Sequence, residues 1–485
     1  MATTTPNPYL EGNFAPVREE RTETVVSVEG TIPDYLDGRY LRNGPNPIGS
    51  PDPASYHWFL GTGMVHGLRI RNGHVEWYRN RFVRSADVAR TLGEPTRPGP
   101  IHAGFDFSAN THVIGHAGRT FAIVEGGGRP YELDDELGTI GPCDFAGTLK
   151  GGYTAHPLCD PDTGELHAVS YYFGWANRVE YSVIDTAGLV RRSVDIEVGG
   201  SPMMHAFSLT SRYVVVFDLP VTFDAHKAAT LAPRPFAKAT ERVMERTIGR
   251  RQVPDRIAAL TVGRAPDAVL PYSWNPDYPA RVGVMPRDGD STDVRWFDVE
   301  PCFVYHPLNA YDEGDRIIID VARHPKMFAT EHRGPNEGAP TLDRWTVDLA
   351  AGKVLEERLD DRGQEFPRVD ERLVGRRHRF GYSVGFEETD GGVAATSHTV
   401  FKHDLAAGRS ETRSFGPNCE ADEFVFVPSG PDAAEDEGVL MGFVYDRTSD
   451  RSDLVVLDAG SLETVAAAHL PARVPHGFHG SWVPA

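Results

Sequence analysis

Histidine is the residue in surplus in this 485-residue chain, with 19 copies, and three of them share one kind of setting. They are His156 in "GGYTAHPLCD", His205 in "GSPMMHAFSLT" and His306 in "CFVYHPLNAYD", at intervals of 49 and 101 residues. Each stands beside a strongly apolar run, and neutral imidazole is the commonest protein ligand for a transition metal. The C-terminal "VPHGFHGSWVPA" adds His476 and His479. Pro475, Gly477 and Gly480 disfavour a helix there, and on an extended strand residues three apart point to opposite faces. One of the two is therefore expected to face inward, with His479 the candidate, and the other to face water.

Four neutral imidazoles suit a borderline divalent transition metal but leave its +2 charge uncompensated. Carboxylates that accept the free ring N–H supply negative charge and fix the tautomer. Glu125 in "FAIVEGG", Glu365 in "GQEFPRV" and Glu423 in "ADEFVFVP" each lie in or beside an apolar strand, where an unpaired carboxylate would be costly. His57, His66, His112, His116, His324 and His398 read as ordinary core or surface histidines. On spacing alone, the metal and the reaction stay open.

Ligands so far apart in sequence need a repeating scaffold to bring them to one point. Hairpin signals recur throughout, as in "GLRIRNGHVEWYRNRF", where alternating strands flank Asn72-Gly73, the dipeptide a type I′ turn demands. Helical periodicity is rare, so the chain reads as all-β. A repeat appears in "VIDTAGL", "VDLAAGK", "HDLAAGR" and "VLDAGSL", whose aspartates fall at 185, 348, 404 and 458. The last two intervals are 56 and 54 residues and the first, 163, is about three times as long. A period near 55 residues fits four-stranded propeller blades with generous loops, about seven of them after allowance for an N-terminal arm and insertions. The competing reading is that D-x-A-G is merely a common hairpin turn.

The formal charge of −20 disfavours nucleic acid as a partner. The N-terminal "MATTTPNPYLEGNFAP" has neither the basic start nor the apolar run of a signal peptide, and no stretch approaches a membrane span; a cytoplasmic location is expected. Cys143, Cys159, Cys302 and Cys419 are widely spaced and expected to be buried free thiols. Between His226 and Arg256, eight Lys/Arg stand against three Asp/Glu, mixed with Leu231, Phe236, Val243, Met244 and Ile248. Such a basic amphipathic stretch can lie on a membrane surface or be a solvated helix between blades.

The motifs "NPYLEGNFAPV", "GRYLRNGPNP", "YHWFLGTGMVHG", "GGYTAHP", "SPMMHAFSLT", "HPLNAY", "QEFPRV" and "GFHGSW" occur in order over nearly the full length. In these the chain resembles the carotenoid cleavage oxygenase family, bacterial members above all. The resemblance implies one domain over 1–485: a seven-bladed β-propeller with a helical and loop cap, residues 226–256 forming an insertion in the cap. It implies one iron(II) per chain on the axis, held by His156, His205, His306 and His479, with Glu125, Glu365 and Glu423 as the carboxylates behind them. Thr111 in "ANTHV" matches a position that crowds the open coordination site. The implied chemistry is addition of O2 across a conjugated C=C bond to give two carbonyl products.

Stilbene-cleaving relatives place a Lys before the first of those glutamates to meet a phenol. Val124 stands there instead, which favours a carotenoid or apocarotenoid, an apolar polyene, as the substrate. Phe59 and Phe303 are candidates to line its tunnel, with core packing the alternative for each. Ala206 after His205 departs from the polar residue usual in the family. Stilbene cleavage and a non-catalytic ligand-binding propeller are the competing functional readings. An isomerase with the same ligands fits less well.

Overall fold

The computed structural model describes residues 7–262, 270–388 and 394–485. The first six residues of the N-terminal segment, part of the stretch read above for a signal peptide, lie outside the described residues. Seven antiparallel sheets of four to six strands account for nearly all of the fold, as blades of a seven-bladed β-propeller. Strands packed between neighbouring blades are buried on both faces, so they appear in the sequence as near-continuous apolar runs. Ile317, Ile318 and Ile319 in Arg316–His324 are all at most 5% exposed.

The chain's two ends meet in one sheet. Blade 1 takes Arg21–Glu23, Gly38–Pro45, Gly63–Arg71 and His74–Phe82 from the N-terminal part and Gly480–Pro484 from the C-terminus. Gly480–Pro484 pairs antiparallel with Gly38–Pro45, Leu41 opposite Ser481. Blade 7, Cys419–Ala421 through Thr464–His469, is completed on its outer edge by Ser27–Gly30. Two sheets thus mix early and late strands, and the ring closes through backbone hydrogen bonds without leaving an open edge there.

The D-x-A-G turns are a true repeat: in blades 3, 5, 6 and 7 each one joins the third strand to the fourth. The aspartate builds the turn itself. Asp185 Oδ1 accepts from Ala187 N at 3.0 Å, Asp348 Oδ1 from Ala350 N at 3.0 Å, Asp404 Oδ1 from Ala407 N at 3.1 Å and Asp458 Oδ1 from Ser461 N at 2.8 Å. The 163-residue interval covers two blades and not three. Blade 4 lacks the motif, and between its strands Tyr213–Asp218 and Arg281–Pro286 the chain leaves the propeller to build part of the cap.

That excursion carries helices Ala225–Ala229, Ala237–Thr247 and Asp255–Val262 over one face of the ring. The basic stretch 226–256 therefore has helical segments, and Phe236 and Val243 are 62% and 61% exposed on them. The four cysteines are all free thiols, but only Cys143 and Cys302 are buried. Cys159 is exposed because it ends a two-residue strand of blade 3, and Cys419 is partly exposed at the start of a strand in blade 7.

Leu41 lies on Gly38–Pro45, the strand against which Gly480–Pro484 closes the ring, fully buried against the neighbouring blade. Leu41→Ala should lower the stability of the metal-free protein by about 3 kcal/mol, measured by denaturant unfolding. A loss under about 0.5 kcal/mol would show that closure does not depend on this packing.

Candidate metal centre

Each innermost strand contributes one residue to a four-histidine cluster or to the groups hydrogen-bonded to it. Blade 1 presents His479, just before Gly480–Pro484; blade 2 Thr111, just before His112–His116; blade 3 His156, before Leu158–Cys159; and blade 4 His205, before Phe207–Leu209. Blade 5 presents His306 within Phe303–Glu313, blade 6 Glu365 within Gln364–Arg368, and blade 7 Glu423 between Cys419–Ala421 and Val425–Pro428. Pairing breaks at two of these positions, between Val304 and Pro307 and between Glu365 and Arg368. Such bulges re-aim a side chain out of the regular alternation. Phe366, beside Glu365, takes φ +53° and lays its ring against His306 at 5.4 Å.

One ring nitrogen from each of His156, His205, His306 and His479 lies within 4.8 Å of the other three. Behind three of the rings stand the three carboxylates. His205 Nδ1 is 2.9 Å from Glu125 Oε1, His306 Nδ1 2.6 Å from Glu365 Oε2, and His479 Nδ1 2.9 Å from Glu423 Oε1. A carboxylate accepts, so each Nδ1 carries the proton and each Nε2 is left with a lone pair. His205 Nε2 and His306 Nε2 are only 3.2 Å apart. Two lone pairs at that separation repel unless a cation lies between them.

His156 has no carboxylate behind it, and its Nε2 is buried with no hydrogen-bond partner. Burial, and then the neighbouring imidazoles, push His156 and His479 well below the ordinary histidine range; burial outweighs Glu365 in lowering His306. The set is neutral nitrogen donors with converging lone pairs, one of them orphaned, which fits a divalent transition metal.

Two histidines set aside in the sequence belong to this centre. His324 Nε2 donates to Glu365 Oε1 at 2.9 Å, so Glu365 is held between two imidazoles. Burial alone would raise Glu365, but His306 and His324 keep its carboxyl well below the usual range. His324 sits opposite Phe303 in the hairpin partner of the His306 strand, and that strand pairing is the signal that could have found it. His112, pushed down to about 3 by burial and then by His479, is neutral. Its Nδ1 lies 3.2 Å from Ala155 O, and its Nε2 lies 3.2 Å from Gly480 O and 3.1 Å from Ser481 Oγ, so the ring braces the backbone beside His156 and His479.

The expectation that His476 faces water is wrong. It is 3% exposed, because residues 475–479 form an irregular segment to which strand alternation does not apply. Asp422 accepts from Nδ1 at 2.9 Å and Glu420 from Nε2 at 2.5 Å. Burial would lower its pKa, but the two carboxylates lift it to about 9.

A cavity of about 1220 Å³ opens on the centre. Phe59, Val124, Thr111, Tyr305, Phe366 and Phe478 are among its walls. Phe303 is not a wall: it packs into the core 4.7 Å behind Tyr305, the residue that takes the place proposed for it. Thr111 has its hydroxyl engaged by Asn110 Oδ1 at 3.0 Å, and its carbonyl accepts from His479 N at 3.1 Å.

Removing one ligand and neutralising one carboxylate should separate the two layers of the site. His306→Ala should abolish stoichiometric metal binding, and Glu365→Gln should weaken it about 10- to 100-fold in chelator competition; unchanged affinity in both would contradict the site. The raised pKa of His476 gives a second test. Its stabilisation is complete below the unfolded value near 6.5 and disappears as pH rises through about 9. Metal-free wild type should therefore exceed His476→Gln by something on the order of 3 kcal/mol below about pH 6.5, with the gap closing above pH 9. A gap independent of pH would contradict the charged state.

The family model described as "Retinal pigment epithelial membrane protein" matches residues 14–484. The carotenoid cleavage oxygenase of Mycobacterium tuberculosis is 54% identical over 495 residues, covering 100% of this chain and 99% of that protein. Among solved structures, the lignostilbene dioxygenase of Pseudomonas brassicacearum superposes with a TM-score of 0.83 at 27% identity, covering 99% of each chain. The apocarotenoid oxygenase of Synechocystis, solved as a Glu-to-Asp mutant, gives a TM-score of 0.79 at 28% identity over 97% of each chain. With its propeller, its four axial histidines and these full-length matches, the chain belongs to the carotenoid cleavage oxygenase family.

Proposed function

We propose that the protein is an iron(II)-dependent dioxygenase that cleaves a conjugated C=C bond of a carotenoid or apocarotenoid with O2, giving two carbonyl products. The observation that carries this reading is the four-imidazole centre opening on a large cavity with an apolar wall. Iron(II) held there would supply O2 activation, which redox-inert zinc cannot. His156, His205, His306 and His479 would hold it, and Glu125, Glu365 and Glu423 keep three of those rings in the ligating tautomer.

The remaining residues bind, orient and exclude water. Phe59 and Phe478 stack edge to face at 5.5 Å, and Phe59 meets Tyr305 at 6.0 Å, so the wall near the centre is aromatic. Such a wall suits a polyene and leaves little for water to bond to. With its hydroxyl taken by Asn110, Thr111 offers the centre no free donor and narrows the approach. Holding the alkene beside the centre can lower the barrier by several kcal/mol, about 7 to 11 at best.

Size and wall chemistry bear on the substrate. The cavity of about 1220 Å³ exceeds the usual ~300–1,000 Å³ of a site for a drug-sized ligand, more room than a stilbene needs. Val124, buried in the wall beside Glu125, gives a phenol no partner. The backbone similarity to the lignostilbene dioxygenase favours stilbene cleavage as the second reading.

A cytoplasmic protein that works at a membrane surface is part of this proposal, and the cap supports the surface contact. Exposed Phe236 and Val243 sit on the basic helical stretch, and Leu231, Phe236 and Met244 also border the cavity. An apolar substrate dissolved in lipid could pass there without crossing water. No described helix is long and apolar enough to cross the bilayer.

Incubation with a panel of carotenoids, apocarotenals and hydroxystilbenes under O2, with products identified by mass spectrometry, should yield paired aldehydes from a polyene. Turnover of hydroxystilbenes alone would overturn the substrate assignment. Arg242→Glu with Arg246→Glu should abolish sedimentation with anionic vesicles; binding that survives would count against the membrane role.

A further inference from the structure

We infer that His476 is a positioning residue for the metal centre, holding through a charged clamp the segment that carries the ligand His479. The inference rests on the metal-binding reading of the four histidines and assigns work to a residue outside that set. Two rungs join segment 420–423 to segment 476–479. In one, His479 Nδ1 donates to Glu423 Oε1 at 2.9 Å and Gly480 N to Glu423 Oε2 at 2.8 Å. In the other, His476 donates from both ring nitrogens, Nδ1 to Asp422 and Nε2 to Glu420. A ring flanked by a carboxylate on each nitrogen must carry both protons to satisfy both.

The second rung is locked from three sides. Arg42, 1% exposed, pairs with Asp422 Oδ2 at 3.2 Å and donates to Pro475 O, the carbonyl that precedes His476. Its guanidinium crosses Gly477 so closely that a Cβ there would lie 1.5 Å from Nη1, so a side chain between the rungs would displace the arginine. From the N-terminal arm, Asn13 O accepts from His476 N at 2.9 Å and the Phe14 ring lies 4.7 Å from the imidazolium. On the outer side, Arg447 Nε donates to Glu420 Oε1 at 2.6 Å. The clamp joins the N-terminal arm, the closing blade and blade 7 at a point three residues from a ligand.

His476→Gln, with Glu420→Gln as a second and milder lesion, separates positioning from simple stabilisation. Cobalt(II) is the probe, its affinity measured by chelator competition on folded protein and its ligand field by visible absorption. We expect His476→Gln to weaken cobalt binding at least tenfold and to shift the visible bands, Glu420→Gln to produce part of the same change, and the double variant to lose less than the product of the two. A purely structural histidine would lower the melting temperature of the metal-free protein and leave affinity and spectrum alone. Folded His476→Gln with wild-type affinity and bands would overturn the inference. Should that variant not fold, wild-type affinity and bands in Glu420→Gln would do so. Wild-type protein that takes up no cobalt would instead remove the metal-centre reading itself.

Discussion

Three carboxylates, Glu365 and Glu423 buried and Glu125 half-buried, each accepting an N–H from an imidazole, are the interaction on which the rest of this structure depends. Without Glu125, Glu365 and Glu423, the rings of His205, His306 and His479 would be free to turn and to change tautomer, and their lone pairs would have no common target. The carboxylates need the histidines equally, since burying one without a donor is unfavourable. Each pair also joins different blades: Glu125 follows a strand of blade 2 and holds a ring of blade 4, while Glu365 of blade 6 holds a ring of blade 5. The four-histidine centre is therefore made by the packing of blade against blade.

A closed ring is the architecture that can do this. In an open sheet, residues 156 and 479 would have no reason to meet; in a seven-fold ring every innermost strand ends near the same axis. Closure by Gly480–Pro484 against Gly38–Pro45 puts a ligand almost at the end of the chain and still holds it firmly. His479 N bonds Thr111 O at 3.1 Å, and Asn43 N bonds His479 O at 3.0 Å, so its backbone is fixed on both sides before any metal binds. The cap follows the same economy, since one excursion from blade 4 supplies both part of the cavity wall and the exposed basic surface.

Much of this was legible in the sequence because it rests on local signals. Asn72 and Gly73 take φ of 50° and 71° at their hairpin as the dipeptide requires, and the D-x-A-G turns mark the third-to-fourth strand hairpin of four blades. The four histidines and three glutamates could be picked out from apolar strand contexts and from the family resemblance together. What could not be read depends on contacts between distant segments. Nothing near His324 indicates that Glu365, 41 residues on, will accept from it, and nothing near His476 discloses the two carboxylates of blade 7. Strand alternation misplaced His476 because its segment is irregular. Phe303 was misplaced because a wall one layer deep has a front residue, Tyr305, and a back one, and the sequence does not say which is which.

The account stands or falls on what sits among the four imidazoles. Anomalous diffraction data collected just above and just below the iron absorption edge, on crystals of protein purified without added metal, test this most directly. The account predicts a single peak surrounded by His156, His205, His306 and His479 that is present above the edge and collapses below it. A site that stays empty in catalytically active crystals, or a peak at the zinc edge alone, would contradict it.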